Sequence, residues 1–170
     1  AVAIGYQSGN TNQSQYAVAI GSSSGQNNQG QYALAIGFQA GYLGQKTNSV
    51  SVGYQSGNYS QGIGSIAIGD NAGYTAQGDA SVALGKTAGK YSQGNNSIAI
   101  GLLAGSYTQQ DSSISIGSES GQFSQGKYSI AIGYHTADNY QSNNALAIGY
   151  QAGLFTCLLY TSPSPRDQRG

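Results

Sequence analysis

Branched aliphatic residues recur along this chain in pairs two residues apart, and the pairs recur every sixteen residues. The first reads Ala-Val-Ala-Ile-Gly at 1–5, and a later one reads Ser-Ile-Ala-Ile-Gly at 97–101. Ten such units begin at Ala1, Ala17, Ala33, Ser49, Ser65, Ser81, Ser97, Ser113, Ser129 and Ala145, with no insertion or deletion between them. Small and aliphatic residues alternate with a period of two, the signature of a short strand with one buried face. The aliphatics, from Val2/Ile4 to Leu146/Ile148, are taken as that buried face. One coil cannot cover its own pair, so coils must stack, strand on strand, about 4.8 Å apart. The fold class this predicts is all-β, a parallel β-solenoid of ten 16-residue coils over residues 1–156, the last coil truncated.

The polar positions repeat as strictly. The fifth residue of every coil is glycine: Gly5, Gly21, Gly37, Gly53, Gly69, Gly85, Gly101, Gly117, Gly133 and Gly149. The ninth is glycine too, except at Ala137. Glycines directly after strands mark turns that need positive φ or a close backbone approach. Between them lies a small residue (Ser8, Ala40, Ala72, Ala104, Ala152) expected to pack inward at a tight corner. A polar stretch follows, often with one aromatic (Tyr59, Tyr91, Tyr107, Phe123, Phe155), and reads as a second, weaker strand or a bend. The thirteenth position is glutamine in nine coils: Gln13, Gln29, Gln45, Gln61, Gln77, Gln93, Gln109, Gln125 and Gln141. Identical amides in register predict a ladder along the stacking axis. The same side chains could instead cap backbone groups at a turn.

Charge changes the picture mainly by exclusion. Six basic and six acidic residues in 170 give a formal net charge of zero. Nucleic acid and anionic membrane surfaces both call for clustered Lys and Arg, so neither is expected as a partner of this segment. No apolar run reaches the length of a membrane span. Hydrophobic content is low, yet its strict period argues against disorder.

The last residues break the pattern. The run from Cys157 to Asp167 holds the only cysteine and both prolines, and resembles the in-frame translation of a transposase-type sequencing adapter. Residues 157–170 are therefore set apart from the fold as a non-native tail, the alternative being a genuine Pro/Ser linker. Without Cys157 no thiol chemistry is left to the repeats. The chain opens inside a repeat and is expected to be a segment of a longer protein.

The motifs Ser-Ile-Ala-Ile-Gly (65–69, 97–101, 129–133) and Ala-Val-Ala-Ile-Gly (1–5, 17–21) resemble the head repeats of trimeric autotransporter adhesins of the YadA type. That resemblance implies a left-handed β-roll, a homotrimer, and a fibre head outside the cell that attaches to a surface. It departs in length, because coils in that family run nearer fourteen residues. The longer form, as in Ile-Gly-Tyr-Gln-Ala-Gly at 148–153, is similar to repeats in tail-fibre-like proteins of large viruses and phages. An outer-membrane-anchored fibre and a virion fibre are thus both implied locations.

Catalytic chemistry has few candidates. The single histidine, His135, is too little for a metal site or a triad and reads as turn variation. Asp70 and Glu119 lie three coils apart, about 15 Å, too far for a glycosidase pair. Calcium-binding solenoids need an acid in each coil, and none recurs. Thr11, Thr47, Thr75, Thr87, Thr108 and Thr136 are too scattered for an ice-binding array. No enzyme, cofactor or metal is expected. The sixth position is often aromatic (Tyr6, Phe38, Tyr54, Tyr134, Tyr150), suited to protomer packing or to sugar contact. The sequence thus predicts a structural and adhesive fibre segment, a homotrimer whose receptor is a host-cell protein, matrix protein or glycan. The alternative is a self-assembling, amyloid-like matrix fibre.

Overall fold

The computed structural model describes residues 1–154; Phe155 and the tail at 157–170 lie outside the described residues. It is an all-β solenoid. Ten short strands, from Val2–Ile4 to Leu146–Ile148, form one parallel sheet in strict register, so that Val82 pairs with Ile98, Ala83 with Ala99 and Leu84 with Ile100. The opposite wall is more broken. Strands of two or three residues at the eleventh to thirteenth positions make a five-stranded sheet between Tyr59–Gln61 and Ser124–Gln125. A two-stranded piece, Thr11–Gln13 with Asn27–Gln29, joins it through isolated bridges at Leu43.

Corners are laddered as tightly as walls. The seventh residue of each coil from the second onward donates its N–H to the sixth carbonyl of the coil before, as in Gln55 to Phe38 at 2.8 Å and His135 to Ser118 at 3.0 Å. Turning the chain twice per coil places many residues in the left-handed region. The fifth-position glycines hold φ between 121° and 135°. A Cβ on Gly69 would stand 2.5 Å from the Gly85 carbonyl oxygen, so the backbone approach there excludes any side chain. The seventh position is left-handed in all ten coils without using glycine, at Thr87 (57°) and Leu103 (58°) among others. Each such residue costs roughly 1 kcal/mol, which the inter-coil hydrogen bonds offset.

The interior reverses one expectation. None of the twenty aliphatics is buried; they stand half-exposed or exposed on the outer surface of the ten-stranded sheet. The small residues at the first and third positions point inward instead: Ala67, Ala83 and Ala99 are fully buried, as are Ser65, Ser81 and Ser97. They meet the small eighth residue (Ala72, Ala88, Ala104) and the thirteenth-position glutamine. The reason is depth. Each glutamine arises on the weaker wall and reaches the backbone of the stronger one. Its Nε2 donates to the second-position carbonyl of its own coil in all nine cases, at 2.6–2.9 Å, as in Gln93 to Val82. In eight coils it also donates to the first carbonyl of the next coil, at 3.2–3.5 Å. Walls one glutamine apart leave room for alanine and serine between them but not for isoleucine.

Both sequence-level roles of the glutamine meet in one side chain. Amide-to-amide contacts run Gln13–Gln29–Gln45 and Gln125–Gln141, at 3.0–3.2 Å. In the middle coils the Oε1 atoms of Gln77, Gln93 and Gln109 are buried without a partner. Where no neighbouring amide donates to Oε1, the third position decides. Ser51 donates to Gln61 Oε1 at 2.6 Å and Ser115 donates to Gln125 Oε1, whereas Ala67, Ala83 and Ala99 have no hydroxyl to offer. Ala83→Ser is expected to supply Gln93 with the missing donor and to raise stability by about 0.5–1.5 kcal/mol. Gln93→Leu is expected to lower it by roughly 1–3 kcal/mol through lost carbonyl bonding. Denaturant midpoints of the two variants against the parent measure both shifts.

Candidate functional site: an exposed aliphatic face with aromatic rims

Residues of one parity share a face of a strand. With the first and third positions inside, the second and fourth must face out, and the sixteenth and sixth continue that parity at either border. The outcome is a strip of branched side chains running the length of the stack. Exposure is greatest at the end coils, where Ile4 is 58% and Ile148 is 61% exposed, and lower between them, where neighbouring coils shade one another. Among the described residues the face carries no charge at its second and fourth positions.

Aromatic rows border the strip on both sides. The five sixth-position residues predicted from sequence fall in three places. Phe38 stacks on Tyr54 with centroids 5.4 Å apart, Tyr134 stacks on Tyr150 at 5.7 Å, and Tyr6 stands alone, 74% exposed beside a coil carrying Ser22. The opposite border holds Tyr16, Tyr32 and Tyr128 at the sixteenth position, of which Tyr16 and Tyr32 stack at 5.2 Å and 5°. Sequence reasoning missed this row, and the same parity rule would have found it. A third aromatic series lies on the far wall, where Tyr91, Tyr107 and Phe123 stack at 5.3 and 5.0 Å. Next to it Tyr42, Tyr59 and Tyr74 meet edge to face. Burial and the adjacent Tyr59 phenol hold the Tyr74 hydroxyl above the ordinary tyrosine range. In every stack the rings cover each other's faces, which removes much of the flat surface that would receive a sugar ring.

The fifth-position glycines singled out from sequence sit at corners, half-buried or exposed, while the glutamines from Gln29 to Gln141 are buried in the core. His135 is not isolated. It shares the seventh position with Glu119 of the preceding coil, and its Nε2 lies 2.9 Å from Glu119 Oε2, with Nδ1 3.5 Å from Asp138 Oδ2. Counting in sixteens would have paired His135 with Glu119. Among the described residues three further ion pairs, Lys46–Asp79, Lys86–Asp70 and Lys127–Asp111, span 3.4–3.9 Å at exposed sites and contribute little. Among the described residues no cluster of His, Cys, Asp or Glu is arranged to hold a metal ion. No helix of the described residues is long and apolar enough to cross a membrane.

With the register and the outward aliphatic strip established, the comparison with known families reports the same unit. Residues 60–88 match the YadA head domain repeat, in two copies. The matched stretch is similar to YadA-type head repeats. The matched stretch holds the strands Ile66–Ile68 and Val82–Leu84 and the glutamine Gln77 between them. The coils that follow it carry the same strand register, and Gln109 and Gln125 repeat its glutamine bond to the second-position carbonyl. Comparison with curated proteins and with solved structures gave no match.

The exposed strip dictates a solution behaviour. Ile68→Lys with Ile100→Lys removes two outward residues of the strip and touches none of the core columns. The coil fold is expected to persist by circular dichroism, while binding of a hydrophobic dye to any dissociated chain falls. The equivalent inward change, Ala67→Lys with Ala99→Lys, is expected to abolish the fold.

Proposed function

We propose that this chain is a structural and adhesive segment of an extracellular fibre, a homotrimer closed around its aliphatic faces, and that it serves attachment to a host cell or surface. The observation that carries the reading is the uncharged aliphatic strip, unbroken over ten coils, on a YadA-type repeat. Contiguous apolar surface of this extent marks an interface. Three copies suit its dimensions. From the sixteenth to the sixth position a wall spans about 20 Å, and a triangle of that side places each wall about 6 Å from the axis. That is close to half of the ~10 Å at which packed sheets lie, so the aliphatics of three walls fill the centre. Four walls of the same width would leave a hollow core. Such closure buries the strip and leaves the far wall, with its tyrosines and amides, for contact with a receptor protein, matrix protein or glycan. Among the described residues no arrangement of side chains supports a catalytic role. A fibre of this kind sits on the outer surface of a cell or on a virion.

Light scattering on the full chain tests the assembly: three chain masses are expected, and a stable monomer would remove the reading. The in-register parallel sheet with its glutamine column also supports a second reading, an amyloid-like matrix fibre that grows without limit. Polydisperse fibrils elongating from seeds would favour that reading over a closed trimer. Attachment itself is tested by binding of the trimer to cells, matrix proteins and glycan arrays, where no binding to any of them would leave only a shaft role.

A further inference from the structure

We infer that the two aromatic borders of the strip are a matched pair. The sixteenth-position row of one protomer seats against the sixth-position row of the next copy, at the level of the strand they bracket; the contact joins two aromatics at Tyr32/Phe38 and Tyr128/Tyr134, one aromatic and a small polar residue at Tyr16/Ser22, Asn48/Tyr54 and Asn144/Tyr150, and no aromatic in the levels from Gly64/Asp70 to Ser112/Ser118. This rests on the trimer reading above and adds to it which residues meet.

Each strand of the ten-stranded sheet after the first is bracketed by one residue from each row. Leu34–Ile36 lies between Tyr32 and Phe38, and Ile130–Ile132 lies between Tyr128 and Tyr134. In the middle of the stack Ile66–Ile68 lies between Gly64 and Asp70, and Val82–Leu84 between Ala80 and Lys86. Parallel copies related by rotation about a common axis bring one border of each wall to the opposite border of its neighbour. A closed ring admits no stagger, because equal displacements around it would not sum to zero. Tyr128 therefore meets Tyr134 of the neighbouring copy, and Tyr32 meets Phe38. The contacts are compatible in chemistry. The Tyr134 and Tyr150 ring faces are occupied by each other, which leaves ring edges to face Tyr128 in the edge-to-face geometry that aromatic pairs favour. Asp70 and Lys86 already pair within the chain at 3.9 Å, and the residues opposite them are Gly64 and Ala80, so no like charges are brought together. Tyr128 at 63% and Tyr134 at 46% exposure are free to make the contact.

The test uses the full chain with Cys157→Ser and the pair Tyr128→Cys with Tyr134→Cys. Within one chain these positions are separated by the width of the wall, about 20 Å, far beyond the ~7 Å limit for a disulfide, so a bond reports on the neighbour. Mild oxidation is expected to convert the light-scattering trimer into covalent trimers on non-reducing gels. Tyr128→Cys with Leu102→Cys, two coils out of step, is expected to give none. Unmodified chain exposed to a one-electron photo-oxidant is expected to yield Tyr128–Tyr134 linked peptides from different chains, read by mixing isotopically light and heavy protein. A trimer by mass with no Tyr128–Tyr134 bond in either experiment overturns the inference and leaves the trimer standing. Covalent products that stop at dimers, or bonding by the out-of-step pair, overturn the inference as well. A monomer by mass removes the trimer reading first.

Discussion

A single amide sets the thickness of this molecule. The thirteenth-position glutamine leaves one wall of each coil and ends on the carbonyls of the other, at 2.6–2.9 Å from its Nε2 to the second-position oxygen in every coil that has it. Buried amides are costly unless bonded, and here each amide nitrogen is bonded. The walls are thereby tied at a separation that admits only alanine and serine beside the glutamine. What remains inside is a core of small and polar side chains with little hydrophobic content. Cohesion comes from in-register backbone ladders running through walls and corners alike.

The rest follows from that thin core. Alternation along the first strand must send either the small or the aliphatic residues inward, and thickness decides for the small ones. Twenty branched side chains are left on the outer surface, where a lone coil stack cannot cover them. The fold keeps its hydrogen bonding within the chain. In the proposed trimer the hydrophobic driving force would lie between chains, which is the physical basis for reading the segment as a fibre unit.

Much of the fold was legible in the sequence. The period of sixteen, the parallel register, the glycine corners and the inward eighth residue all follow from residues that repeat without a gap. Which face of the strand is buried was not legible from hydrophobicity. The cue lay in the combination of an invariant Gln13-type residue with only Ala or Ser at the first and third positions, a set too small to surround an aliphatic core. The Tyr16, Tyr32 and Tyr128 border went unseen because the strand was read as ending at its glycine and beginning at its first small residue. The left-handed backbone at Thr87 and Leu103 has no sequence signal at all, since residues of ordinary preference adopt it under the pull of the inter-coil bonds. The His135–Glu119 contact needed only the repeat number, and treating His135 by itself concealed it.

The central claim is that the aliphatic residues pack between chains and the glutamines pack within them. Methyl-labelled isoleucine, leucine, valine and alanine in one batch of chain, mixed and co-assembled with uniformly deuterated chain carrying protonated methyls of a second label, separates the two kinds of contact by nuclear Overhauser measurements. The account predicts methyl–methyl contacts between differently labelled chains, and side-chain amide protons of Gln93 near the methyls of Ala83 and Ala99. Contacts from isoleucine methyls to the Gln93 amide within one chain, with none between chains, would contradict it.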